Sequence, residues 1–227
     1  MGNQEVKPAS DEEINEYFEQ EWFTVSESLD IEKFKNSISD LPMYVGGQIA
    51  LLKAWDKKKG KLKDLIDKDK KFHRNGIPDS NRRLAFLEHF ELKPKLCKAS
   101  FKAVLDLTNQ EELEIAQEDR ASLPFLKLTY LNEKGLLNLE MIVHLINKEK
   151  MIEYSPVLIN SIAILLIYLP VEETFWVVQK MIESSTELLG DLTTKRQMRW
   201  YFTFTKIDYF KMIGAFIQSY IDTTKFK

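Results

Sequence analysis

The feature that most constrains this chain is an apolar run held between two prolines, "SPVLINSIAILLIYLP" at 155–170. From Val157 to Leu169 it is interrupted by Asn160 and Ser161 alone. A bilayer span needs about 20 predominantly apolar residues, so this run is too short for one. Bounded by prolines, it reads as a helix buried on most of its sides. The first twenty residues are polar and acidic, which is not a secretory signal, and Val6 stands where a myristoylation motif wants Ser or Thr. The expectation is a soluble, cytoplasmic protein with no transmembrane segment.

The chain of 227 residues is long enough for a substantial core, and its net charge of -3 gives no general reason to expect nucleic acid or a membrane. The single cysteine, Cys97, excludes an internal disulfide and fits a reducing compartment. Eight glycines and seven prolines are too few for a turn-rich β protein, so an all-α fold is expected.

Capping and periodicity divide the chain into helices. Ser10-x-x-Glu13 has capping-box spacing, followed by Ile14, Tyr17, Phe18, Glu21 and Trp22 at a helical period. A short helix is expected over Ile31–Ile38, with Pro42 beyond it. Gly46-Gly47 marks a break before an amphipathic stretch through Ile49, Leu52, Trp55, Leu62 and Ile66. "GIPDSNRR" at 76–83 is a turn and a helix start, with Asp79 or Ser80 as cap and Leu84, Phe86, Leu87 and Phe90 as the apolar face. Pro94 opens another helix, Thr108-x-x-Glu111 repeats the capping-box spacing, and Asn132–Asn147 is helical again. Helices over Glu172–Glu183 and about Thr194–Tyr220 complete the series. "FLKLTYL" at 125–131 alternates as a strand would, but once and without a nearby partner.

Little in these residues builds an active site. His73, His89 and His144 lack metal-ligand spacing with Cys97 and read as surface or boundary residues. There is no Walker A cradle, dinucleotide fingerprint or serine-hydrolase elbow, so no cofactor is expected. Lys53–Arg74 carries nine lysines and one arginine against four aspartates. It reads as a solvated helix face, the alternative being a patch for an acidic partner or anionic lipid.

Two blocks together resemble the TBC domain of Rab GTPase-activating proteins. "RNGIPDSNRRLAFL" (74–87) matches that family's opening at Gly76, Ile77, Pro78 and Arg82, with Phe86 at a usual Trp position. "EYSPVLINSIAILLIYLPVEETFWVVQKMIES" (153–184) matches its second block at Tyr154, the apolar run, Glu172, Glu173, Phe175 and Trp176. The resemblance covers about half the chain and implies an irregular multi-helix fold, mainly the N-terminal lobe. Residues 1–50 would form a helical arm and 51–227 the TBC-like domain.

The family acts through two fingers that reach bound GTP, an Arg that neutralises the transferring phosphoryl group and a Gln that positions water. Aligned on Ile115 and Pro124, "IAQEDRASLP" puts Glu118 at the family's Asp, Ala121 at the arginine finger and Ser122 at its Thr. In the second motif Tyr154 is kept, but Pro156 replaces the Gln. An arginine finger is worth about 10³ to 10⁵ in rate, roughly 4–7 kcal/mol of barrier, and Ala121 supplies none of it. Pro156 has neither a side-chain amide nor an N–H. Arg120 lies one step away, and on a helix that step swings a side chain by about 100°.

The resemblance therefore implies a catalytically inactive interaction or scaffold module. It would bind a Rab-type small GTPase or serve as a subunit of a larger assembly. The alternative is an active GTPase-activating protein with non-standard fingers, Arg120 among them. The aromatic tail at 195–221 ("KRQMRWYFTFTKIDYFKMIGAFIQSYI") wants burial, in the core or against a partner.

Overall fold

The computed structural model describes residues 6–56, 76–108, 130–150 and 156–189. Of these, 77% are helical and none is in a strand, so the all-α expectation holds. The helices are α1 (Asp11–Phe18), α2 (Trp22–Val25), α3 (Ile31–Ser37), α4 (Leu41–Asp56), α5 (Asp79–His89), α6 (Pro94–Asp106), α7 (Glu133–Lys150), α8 (Pro156–Tyr168) and α9 (Val171–Leu189). None is long and apolar enough to cross a membrane.

The proline-bounded run is α8, and it lies at the centre. Leu158, Ile162, Leu165, Leu166 and Leu169 are buried, while Ile164, at 56% exposure, is on the outer side. Its neighbours are α7, which presents Leu139, Ile142, Leu145 and Ile146, and α9, which presents Phe175, Val178 and Ile182. These inner residues recur at three- and four-residue steps, the spacing that keeps one helix face turned to a core.

The N-terminal helices share this hydrophobic cluster. Tyr17, Phe18, Trp22, Phe23, Phe34 and Val45 belong to one buried set with the residues of α7 to α9. Trp22 stacks on Phe23 at 3.6 Å between ring centroids and on Tyr168 of α8 at 5.7 Å. The predicted capping box is present: Ser10 N–H donates to Glu13 Oε2 at 2.9 Å, and Glu13 N–H to Ser10 Oγ at 3.3 Å. The helical period through Trp22 is broken, however, since α1 stops at Phe18 before α2 starts.

Gly46-Gly47 does not break the chain; both glycines lie inside α4. A Cβ on Gly46 would sit 2.0 Å from the carbonyl oxygen of Lys7. The segment before α1 crosses the helix there, fixed by Ala9 N–H donating to Pro42 C=O at 2.9 Å. Close approach of two backbones needs a residue without a side chain, which local propensity does not reveal. Pro42, expected beyond α3, falls in the first turn of α4, where its missing N–H costs nothing.

The end of the alternating segment, Tyr130 and Leu131, has its partner far away in sequence. Leu131 forms an antiparallel bridge with Leu29, flanked by Asp30 N–H to Tyr130 C=O at 2.7 Å and Asn132 N–H to Ser28 C=O at 2.9 Å. Asn132 then caps α7 through Oδ1, which accepts from Gly135 N–H at 2.8 Å. Residues 125–129, the helix expected after Thr108, most of Lys53–Arg74, and the tail helix at 194–220 lie outside the described residues.

Candidate functional site

The turn Gly76-Ile77-Pro78 leads into α5, whose first residue, Asp79, has a fully buried side chain. Gly76 adopts φ +84°, a backbone conformation that glycine takes without strain. Pro78 occupies the cap position with no side-chain cap bond. Asp79 therefore does not cap α5 as expected: its carboxylate turns inward.

Three phenols and a guanidinium meet that carboxylate. Tyr17 donates to Oδ2 at 2.6 Å, Tyr44 donates a short bond to the same oxygen, and Tyr168 donates to Oδ1 at 3.4 Å. Arg82 Nε ion-pairs with Oδ1 at 3.0 Å, and Arg82 Nη1 donates to the Tyr168 hydroxyl at 2.8 Å. The guanidinium also lies 4.8 Å from the centre of the Tyr168 ring. Asp79 N–H donates to Gln48 Oε1 at 3.0 Å, so α1, α4, α5 and α8 converge on one residue.

Burial, and then the Asp79 charge, hold all three tyrosines protonated well above the ordinary phenol range. A carboxylate offers about four lone-pair sites, and here four partners occupy them. The cluster has no free acceptor for a substrate proton and no phenol poised to give one up near neutral pH. Its chemistry is that of a brace.

A second ion pair joins α5 to α9. Arg83 donates from Nε to Glu173 Oε2 at 2.8 Å and from Nη2 to Oε1 at 2.6 Å, a bidentate pair with the carboxylate only 3% exposed. The hydrogen bond to Glu173 raises the Arg83 pKa further. Helix α9 is also joined to α6: Trp176 Nε1–H donates to the Cys97 carbonyl at 3.2 Å, and Phe175 packs on Phe101 at 5.2 Å. Cys97 is buried, which pushes its thiol pKa up.

Of the finger positions, Glu118, Arg120, Ala121, Ser122 and Tyr154 lie outside the described residues. Pro156 is the first residue of α8. There a residue without an N–H is at home, because the first helical N–H has no partner inside the helix. His89 is exposed and packs edge-on to Phe90 at 4.7 Å, His73 lies outside the described residues, and His144 keeps a buried Nε2 with no hydrogen-bond partner. Among the described residues no group of three or more His, Cys, Asp and Glu could hold a metal ion. On α5, Leu87 is buried and Phe86 and Phe90 are half-buried as expected, but Leu84 is 52% exposed.

The Tyr17–Tyr44–Tyr168–Asp79 cluster was not evident from the sequence. A tyrosine on an apolar helix face needs a partner for its hydroxyl, and that was the available signal. Protein-family models, curated proteins and solved structures give no match to this chain. What the fold and the cluster define is an all-helical domain braced on a buried carboxylate.

Proposed function

We propose that this chain is a catalytically inactive, TBC-like interaction module, acting in the cytoplasm on a Rab-type small GTPase or within a larger assembly. The observation that supports it is a juxtaposition. The described parts of the two blocks that carry the resemblance, 76–87 and 156–184, are packed together, Arg82 on Tyr168 and Arg83 on Glu173. Segments far apart in sequence thus form one unit, as a shared family core requires. Within that unit the residue at the Gln-finger position is Pro156, which has no amide to orient water. With Ala121 at the other finger, the module binds without accelerating hydrolysis.

The test is single-turnover GTP hydrolysis by a panel of Rab-type GTPases with excess protein, with binding to the GTP-loaded forms recorded in the same samples. Binding without acceleration is the expected result. Acceleration of about a hundredfold or more, abolished by Arg120→Ala, overturns the reading and makes Arg120 a displaced finger. Absence of both binding and acceleration rejects the GTPase-binding form and leaves only the assembly-subunit form.

A further inference from the structure

Helix α6 has two unlike faces. Cys97 and Phe101 are buried against α9, while Lys95, Lys98 and Lys102 are exposed. At about 100° per residue these lysines fall within about 60° of one another, and Phe101 and Leu105 occupy the next 60° of the helix. Beside the stripe runs a groove of about 580 Å³ whose walls include Phe101, Leu105 and Val171. Between Lys93 and Asp106 the chain carries four lysines and one aspartate, although the whole molecule is net negative.

Among the described residues none of the three lysines is held in an ion pair. Glu27, whose charge Lys98 reaches, is already paired with Lys134. Among the described residues the stripe thus sets exposed positive charge, unpaired in any salt bridge, along an apolar trough. From Lys95 to Lys102 the rise is about 10 Å, two turns of a helix. Carboxylates at i, i+3 or i+4, and i+7 of a second helix span the same rise, and its apolar residues between them would lie over the trough.

We propose that the α6–α9 groove is a docking site for an acidic amphipathic helix of a partner protein. An anionic membrane fits less well. Stable adsorption calls for about four to eight basic residues on a convex or flat face, whereas three lysines border a trough here. Single-stranded nucleic acid is held by stacking on exposed aromatics, and Phe101 is buried. Glu172 lies at the groove as well and disfavours an acidic residue opposite the first turn of α9. The partner helix should be neutral or basic at that end. This inference is independent of any GTPase.

The test uses a fluorescein-labelled synthetic amphipathic peptide of about two to four helical turns, with Glu at i, i+3 and i+7 and Leu between them. Controls are the same composition scrambled and a version with every Glu replaced by Lys. Anisotropy with the full chain should show the Glu peptide binding at least about tenfold tighter than either control, weakening as salt rises from about 50 to about 300 mM. The triple variant K95E/K98E/K102E should lose that binding and gain the Lys peptide instead. All three positions are exposed, so its circular dichroism and melting should match the parent.

Zero-length crosslinking should join the peptide carboxylates to Lys95, Lys98 or Lys102. Equal binding of the scrambled peptide, or crosslinks confined to other lysines, refutes the site. So does retention on anionic vesicles that the same charge reversal abolishes while the Glu peptide stays unbound. A lysine-dependent dimer that excludes the peptide would refute it in favour of a second copy of this chain.

Discussion

Replacing Asp79 by asparagine removes one acceptor oxygen and nothing else of consequence to volume. The amide can face two ways. With Nδ2 in place of Oδ2, Tyr17 and Tyr44 lose their acceptor; with Nδ2 in place of Oδ1, Tyr168 and Arg82 lose theirs. A hydrogen bond to a buried charged group is worth about 1.5–3 kcal/mol, so two lost bonds cost about 3–6 kcal/mol. Relief of carboxylate desolvation offsets part of this, and Arg82 is partly solvated, leaving a net loss of about 3–5 kcal/mol. In a chain of this length that corresponds to a fall in Tm of about 6–20 °C. Urea and thermal melts followed by circular dichroism give both numbers.

Tyr17→Phe alone should cost about 1.5–3 kcal/mol, and much less once Asp79 is already Asn, a coupling of about 1–2 kcal/mol in the double-mutant cycle. An Asp79→Asn protein within about 1 kcal/mol of the parent, or strict additivity with Tyr17→Phe, would show that the carboxylate does not hold the phenols as described.

Two neighbouring glycines should respond in opposite directions. Gly47→Ala has its nearest atom at 4.0 Å and should stabilise α4 by about 0.5–1 kcal/mol. Gly46→Ala drives a methyl against Lys7 C=O and should destabilise by about 1–3 kcal/mol, or release the segment before α1, which amide exchange at Ala9 reports. Alkali provides a third check. Tyr17, Tyr44 and Tyr168 have folded pKa values above the unfolded value of about 10, so their stabilisation is complete below that pH and is lost as pH rises beyond it. With three protons held only by the native state, stability should fall by up to about 4 kcal/mol per pH unit above about pH 10. Tyrosinate absorbance should show three of the eight tyrosines silent until unfolding, and Tyr17→Phe should remove one proton from the slope.

How much was legible depended on the range of the interaction that decided each element. The α8 run needed no partner to be read, because a run of thirteen residues between prolines, all but Asn160 and Ser161 apolar, is too short to span a membrane and so reads as a buried helix. The Ser10–Glu13 box was equally local. Asp79 was misread because its sequence neighbours, a Pro-led turn and a polar helix start, are those of a capping residue. Whether such a carboxylate bends back to its own helix or reaches away is decided by groups 35, 62 and 89 residues distant. Gly46 was misread for the same kind of reason: local propensity calls it a break, while the passing Lys7 carbonyl makes it a contact.

The braces and the proposed groove meet on α9. Glu173 on its first turn is pinned by Arg83, while Val171 and Glu172, two residues and one residue earlier, line the groove beside the α6 lysines. Phe175 and Trp176, on the next turn, fix α9 to α6 through Phe101 and the Cys97 carbonyl. The start of α9 is thus clamped from both α5 and α6, and the separation of Val171 from the lysine stripe is set by those clamps. Arg83→Ala leaves a buried carboxylate unpaired at this point and should weaken Glu-peptide docking without touching any groove residue. Unchanged affinity in a folded Arg83→Ala protein would separate the two features and leave the groove formed by α6 packing alone.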